Sequence, residues 1–250
     1  MKRTRSSYSL IVAALLLAAF ASVAAAQDGN RKQVNKTPVL WEQVNIGRQD
    51  LFYGPGGRKG VPDTSRVTLI KEEKGGYSKK YRIKDADGKT WVAKIGKEAQ
   101  SETAAVRLIA ALGYKSEINY LVPAITIPGK GTFRNVRLEA RPEPVDREGE
   151  WQWDKNPFVG TNELQGLKIM MALLNNWDMK NSNNRILETK GRREYIISDL
   201  GATFGKMGKG NFALLRWIGR SRNNPEDYRR SKFGKGVKKN RLKVHFNGKN

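Results

Sequence analysis

The sequence predicts an α+β fold in two lobes, an N-terminal antiparallel sheet carrying one helix and a smaller C-terminal part. Three observations lead there. Short runs separated by turn residues fill Arg66 to Ile95, which is the pattern of a strand meander. One amphipathic helix pattern follows from Ser101 to Gly113, and a second from Thr161 to Leu174 leads into two further short apolar runs.

The chain begins with Lys2, Arg3 and Arg5, a 14-residue apolar run from Leu10 to Val23, and the small residues Ala24-Ala25-Ala26. This is the pattern of a secretory signal peptide over 1–26, with cleavage expected after Ala26 and a secreted or periplasmic product. The run falls short of the roughly 20 residues that span a bilayer, so no transmembrane anchor is expected after cleavage. Residues 27–37 are polar without periodicity and read as a flexible arm. The two lobes are expected over 38–143 and 144–250.

Asp50 to Asp63 packs four glycines and two prolines into fourteen residues and reads as a turn cluster. Strands are expected at Val67 to Ile70, Lys79 to Lys84 and Thr90 to Ile95, the last two joined by the hairpin signal Asp85-Ala86-Asp87-Gly88. The first two are joined through Gly75-Gly76-Tyr77-Ser78, whose glycines leave backbone N–H groups uncovered; such a turn can close over phosphates or can simply be a turn. Ser101 is the expected cap of the first helix, with Ala105, Leu108, Ile109 and Leu112 as its apolar stripe and Gly113 as its stop. Val122 to Ile127 and Val136 to Ala140 read as further strands, the second of them apolar. Trp151 and Trp153 read as surface aromatics. The second helix places Leu164, Leu167, Met170, Met171 and Leu174 on a core face, and a hairpin then carries Arg185 to Leu187 and Glu194 to Gly201 around Lys190-Gly191.

The absence of cysteine excludes disulfides, thiolate metal sites and a cysteine nucleophile. Net charge is +23, and loss of three basic residues with the leader leaves 44 against 24, or +20, which implies an anionic partner or surface. Arg216 to Asn250 holds twelve Lys or Arg against Glu226 and Asp227. That segment is either a solvated tail or a docking surface for phosphate, an anionic polymer or lipid headgroups. The one histidine, His245, lies between Val244 and Phe246 and is not expected to act as a base.

Directly after the second helix comes NNWDMKNSNN, Asn175 to Asn184. Five asparagines, one aspartate and one lysine there must be solvated, hydrogen-bonded or given chemistry. Four features then fall in order along the chain: Lys94 on the third strand in Trp91-Val92-Ala93-Lys94, an acid at the following helix, Asp178 with Asn183 five residues on, and Asp199-Leu200-Gly201. Taken singly each has a plainer reading: a surface salt bridge for Lys94, a helix cap for Glu102, and loop hydrogen bonds for the asparagines.

Taken together, the order and context resemble the protein-kinase signature set of strand lysine, helix glutamate, catalytic loop and metal-binding Asp-Phe-Gly. The resemblance covers Arg66 to Gly205. The Ser101-to-Leu108 helix followed by Val122-Pro123, and the Asp178-to-Asn183 block, are similar to atypical kinases, among them HipA-type bacterial kinases, secretory-pathway kinases and type II phosphatidylinositol kinases. The alanine-rich leader points to a secreted bacterial member. The resemblance implies a two-lobed protein-kinase-like fold with a small, mainly helical C-terminal lobe. It also implies an ATP-dependent phosphotransferase with Mg²⁺ or Mn²⁺ and an unidentified hydroxyl acceptor. Lys94 would hold the nucleotide phosphates, oriented by Glu102, beneath Gly75, Gly76 and Ser78. Asp199 and Asn183 would be the metal ligands, Asp178 the base that takes the acceptor proton, and Lys180 the cation that offsets charge on the transferred phosphoryl.

The chain departs from that pattern in several places. Trp177 stands where a conventional kinase has arginine, Leu200 replaces phenylalanine, the strand motif is one residue short, and the glycine turn lacks the G-x-G-x-x-G form. Lys94 and Glu102 are only eight residues apart, so Glu98 is an alternative partner for the lysine. Only 49 residues follow Gly201, which leaves either a minimal substrate lobe or a chain that continues past Asn250. Two other classes stay open: a non-catalytic kinase-fold module that binds a nucleotide or anionic polymer, and a polyanion binder built around the basic C-terminus.

Overall fold

The computed structural model describes residues 36–74, 78–142, 146–189, 191–205 and 224–244. The proposed leader, most of the arm, Gly75 and Gly76, the lobe boundary at Glu143, Lys190 and His245 lie outside the described residues. Strand β1 (Thr37–Val39) pairs in parallel with a strand formed far along the chain, residues 192–194. The glycine- and proline-rich stretch that follows forms two short 3-10 turns, Gly54–Gly56 and Arg58–Gly60, as its composition dictates.

The expected meander is present as β2 (Thr68–Glu73), β3 (Lys79–Lys84) and β4 (Thr90–Ile95). Its β3–β4 turn closes on Asp85, whose carboxylate accepts from the Lys89 N–H at 2.8 Å and from the Trp91 indole at 2.8 Å. β5 (Asn119–Ile127) and β6 (Gly131–Ala140) are a hairpin longer than the sequence runs suggested. Together they make an antiparallel sheet in the order β2-β3-β4-β6-β5. Pro123 lies on the edge strand, and the ladder pairs Val122 and Ala124 but passes over it, because a proline has no N–H to give.

The sheet's two faces differ in kind. Tyr81, Ile83, Trp91, Ala93, Tyr120, Val136 and Leu138 form an apolar core on one face. Alternation along the strands therefore sends Lys94, Arg137 and Glu139 to the other, where they are nonetheless buried. Helix α1 (Glu98–Ala111) packs on that second face. It starts three residues before the expected cap: Lys97 is the N-cap and caps with no side chain. Ser101 is interior to the helix, because Gly96, at φ +129, ends the strand and accepts from the Ala99 N–H. Leu108 is 38% exposed while Val106 is buried, so the apolar stripe is rotated from the expected one. Gly113, at φ +92, stops the helix; a Cβ there would lie 2.0 Å from the Glu42 carbonyl oxygen, where β1's continuation crosses.

A second apolar core joins Ala105, Val106 and Ile109 of α1 to Leu164, Leu167 and Met171 of α2 (Asn162–Leu173). The Thr161 hydroxyl accepts from the Leu164 N–H at 3.2 Å and caps α2. Trp151 and Trp153 belong to this core, 2% and 7% exposed, which corrects their reading as surface aromatics. The run Trp-Gln-Trp-Asp alternates in burial, tryptophans in and Gln152 and Asp154 out, and the Trp151 indole donates to the Ile196 carbonyl at 2.9 Å.

The expectation of a mainly helical C-terminal lobe does not hold among the described residues. β7 (Asp146–Gly149), β8 (Asn184–Thr189) and β9 (Arg192–Ile197) form a sheet in the order β1-β9-β8-β7. Beyond α2 the only described helix there is the five-residue α3 (Pro225–Arg229), followed by a hairpin of β10 (Gly234–Lys238) and β11 (Arg241–Val244). Among the described runs the reason lies in length: Arg185 to Leu187 and Tyr195 to Ile197 are too short and too close to turn residues to sustain a helix.

Candidate functional site

Lys94 projects from β4 toward α1 and is 3% exposed. Its ammonium lies 2.9 Å from Glu102 Oε2, 3.2 Å from Glu98 Oε2 and 2.6 Å from Asp199 Oδ1. The question of which glutamate partners the lysine thus resolves to both, since residues four apart on a helix share a face. The surface-salt-bridge reading of Lys94 and the cap reading of Glu102 fall together, because both side chains are buried and Glu102 is inside the helix.

Burial works against the lysine's charge, but the carboxylates of Glu102, Asp199 and Glu98 outweigh it and hold the ammonium above the usual lysine range. Complete burial pushes the Glu102 carboxyl up, against the pull of Arg137 and Lys94. Asp199 also loses hydration, yet the Lys94 ammonium beside it holds its carboxyl down to about 2. A depressed acid stabilises the fold fully above its unfolded value of about 3.9 and loses that contribution as pH falls through about 2. Urea midpoints of the wild type should therefore hold from about pH 6 to pH 4 as far as this pair is concerned, then fall. The Asp199→Asn variant should show a shallower fall in that acid window, and an identical slope would remove Asp199 from the acid response.

Two turns anchor Asp199 beside α1. Asp199 takes the left-handed conformation at φ 53, ψ 50, which an aspartate tolerates better than most side chains. Gly201 then passes so close to α1 that a Cβ there would lie 2.8 Å from Glu98 Cβ, and the Ser101 hydroxyl donates to its carbonyl at 3.1 Å. Ser78, at the end of the glycine turn, donates to Glu98 Oε2 at 3.1 Å. The last described residue of that turn is thus held by one of the carboxylates that hold Lys94.

The asparagine-rich decapeptide forms a loop pinned to its surroundings by its asparagines. Asn175, at φ 47, turns the chain out of α2 and donates to the Tyr228 carbonyl at 3.3 Å and the Ser231 hydroxyl at 2.6 Å. Asn176 accepts from the Asp178 N–H at 3.0 Å, Asn181 accepts from the Trp153 N–H at 3.2 Å, and Asn184 donates to the Trp151 carbonyl at 3.0 Å. These four asparagines build the loop. Asn183 differs: its Nδ2 donates to the Asp178 carbonyl at 2.8 Å and to Asp178 Oδ2 at 3.2 Å, which leaves its amide oxygen for another partner. Lys180 Nζ lies 3.0 Å from the same Asp178 Oδ2. The Asn183 carbonyl accepts from both the N–H and the hydroxyl of Ser198, each at 2.9 Å, so the loop is docked against the residue preceding Asp199. Trp177 donates to the Gly205 carbonyl at 3.0 Å and packs edge-on against Phe233, 4.8 Å between rings.

No protein-family model and no curated protein matches the chain. Among solved structures, the Helicobacter pylori proinflammatory kinase CtkA is similar over 57% of this chain and 60% of its own length, with 15% identity and a TM-score of 0.40.

The sequence reading missed the charge network behind Lys94. Arg137 Nη1 lies 2.9 Å from Glu102 Oε1, and its Nη2 lies 2.8 Å from Glu139. Arg147 continues to Glu139 at 3.0 Å and Glu117 at 3.4 Å, and Arg141 also pairs with Glu139. Burial and the crowding of Arg147, Arg137 and Arg82 push the Arg141 guanidinium down to about 10. The stretch Val136 to Ala140 is therefore apolar on one face only, and its other face is ionic. The signal was present: Val-Arg-Leu-Glu alternates with period two and places opposite charges two residues apart.

Among the described residues no three His, Asp or Glu side chains converge on a cation position. Asp199 and Asn183 offer one carboxylate oxygen beyond the Lys94 contact and one neutral amide oxygen. Two hard oxygen ligands of that kind fit Mg²⁺, which keeps water or phosphate oxygens in its remaining positions.

Proposed function

We propose that the chain is a protein-kinase-like phosphotransferase that moves the γ-phosphoryl of a nucleoside triphosphate, with Mg²⁺ or Mn²⁺, to a hydroxyl acceptor. The observation that carries this reading is the meeting of Lys94, Glu102 and Asp199, from a strand, a helix and a loop, with the Asp178–Asn183 loop docked beside the third. Separate groups for phosphate, metal and acceptor are what phosphoryl transfer requires, since its catalysis is mostly positioning and charge neutralisation.

In this reading Lys94 exchanges the Asp199 carboxylate for phosphate oxygens while Glu102 and Glu98 keep its ammonium in place. Ser78, with Gly75 and Gly76, covers those phosphates. Asp199, released from the lysine, and the Asn183 amide oxygen hold the metal ion. When bound, the ion neutralises charge on the phosphates. Asp178 accepts the acceptor's hydroxyl proton on a carboxylate oxygen, and Lys180 offsets negative charge beside it. The Asn183 Nδ2 contact fixes the Asp178 carboxylate relative to the metal ligand. Export through residues 1–26 belongs to the same proposal; no described helix is long and apolar enough to cross a membrane.

The test is calorimetric titration of ATP into the purified chain, with Mg²⁺ and with chelator. Binding is expected to need the metal, and Asp199→Ala to weaken it at least tenfold, roughly the effect of losing one charged ligand contact. Unchanged metal-dependent affinity in Asp199→Ala would sink the site. Metal-dependent binding without turnover would leave a nucleotide-binding module instead.

A further inference from the structure

The hairpin of β10 and β11 stands apart from the site just described. Its two central turn residues, Lys239 and Asn240, have φ of 50 and 57, the backbone that suits a tight hairpin turn. The register pairs Lys238 with Arg241 and Val237 with Leu242. Directly opposed residues point to the same face, so Val237 and Leu242 form one apolar pair. They are 71% and 56% exposed. Alternation sends Lys238, Arg241 and Lys243 to the hairpin's other face, Lys239 lies in the turn and Lys235 on β10, and the chain from Tyr228 to Val244 contains no acidic residue. Several exposed cations elsewhere do have carboxylate partners: Lys130 has Glu72, Lys89 has Asp87, and Arg229 and Arg230 share Glu226.

An isolated two-stranded hairpin is marginal in water, and this one is held at its root. Phe233 is 2% exposed and packs on Trp177, the residue before Asp178. The far end carries the apolar pair and the turn cations into solvent.

We propose that the β10–β11 hairpin docks the protein on an anionic lipid bilayer, Val237 and Leu242 entering the interface and the five cations meeting the headgroup charge. Charge complementarity alone would suit any polyanion, but the paired aliphatic side chains gain from a bilayer interface and nothing from a soluble polymer. Single-stranded nucleic acid is gripped by exposed aromatic platforms, and the described hairpin presents none.

Co-sedimentation of the full chain with vesicles decides it. Binding is expected to phosphatidylcholine vesicles containing phosphatidylglycerol and not to phosphatidylcholine alone. Lys238→Gln with Arg241→Gln should lower the partition coefficient roughly twentyfold, at about fivefold per cation. Val237→Ser with Leu242→Ser leaves the charge unchanged and should lower it about tenfold through lost apolar burial. Lys59→Gln with Lys84→Gln, exposed cations away from the hairpin, should leave it unchanged. Vesicle binding by the double serine variant equal to that of the wild type would overturn the proposal, as would binding of single-stranded DNA or polyphosphate without vesicle binding. All four sites are solvent-exposed, and unchanged thermal unfolding of each variant is the folding control.

Discussion

Replacing Lys94 with methionine is expected to lower folding stability by about 3–5 kcal/mol, the loss typical when one partner of a buried ion pair is removed. The side chain keeps its length and its apolar stem, but Glu98, Glu102 and Asp199 lose the ammonium that lies within 3.2 Å of all three. Arg137 still serves Glu102. The variant's carboxylates will then prefer to be protonated in the folded state. An acid whose folded pKa is raised costs stability as pH climbs above its unfolded value, about 4.3 for glutamate. The deficit measured by urea unfolding should therefore be larger at pH 8 than at pH 5. An equal deficit at both would mean that lost packing, rather than uncompensated charge, destabilises the variant. In the proposed reaction the same substitution removes the phosphate-binding cation, so metal-dependent nucleotide binding should disappear even where the variant is folded.

Asp178→Asn is expected to lower turnover about 10²- to 10⁴-fold, the usual contribution of a positioned general base, while nucleotide affinity is retained. The amide keeps the shape of the carboxylate and an oxygen that still accepts from Asn183 and Lys180, so the loop geometry has no reason to change. What is lost is the capacity to take a proton. Comparing nucleotide affinity with the rate of nucleotide hydrolysis or phosphoryl transfer separates the two roles. Undiminished turnover would remove Asp178 as the base, whereas a fall in affinity as large as the fall in turnover would make it part of the nucleotide or metal site. Because the Asn183 side chain both holds Asp178 Oδ2 and supplies the proposed metal-ligand oxygen, while its main-chain contact with Ser198 survives substitution, Asn183→Ala should weaken metal-dependent binding and turnover together.

The two sets of residues differ in how much of their arrangement local pattern could reveal. Strands β3 and β4 and helix α2 are bounded as their runs indicate, because a turn such as Asp85-Ala86-Asp87-Gly88 and a cap such as Thr161 act within a few residues. The four structural asparagines were separable from Asn183 only as a supposition in the sequence, since three of them, Asn175, Asn181 and Asn184, meet partners, Tyr228, Trp153 and Trp151, that the fold brings in. The mainly helical C-terminal lobe was implied by resemblance, and the short runs after α2 pair as strands instead. The burial of Trp151 and Trp153 turned on a two-residue alternation too brief to stand out beside their polar neighbours.

What the sequence by itself determined is the inventory and the order: lysine on a strand, an acid at the following helix, an Asp-Asn loop, an Asp-Leu-Gly after a strand, and a strongly basic C-terminus. What only the tertiary structure decided is which charges meet. Lys94 and Asp199 are 105 residues apart, and their 2.6 Å contact depends on Gly201 passing flush against α1. Arg137 joins them only because β6 lies beside β4. Ion pairs form between groups close in space whatever their separation along the chain, so no local pattern carries them, whereas turns, caps and alternation are local and can be read directly from the chain.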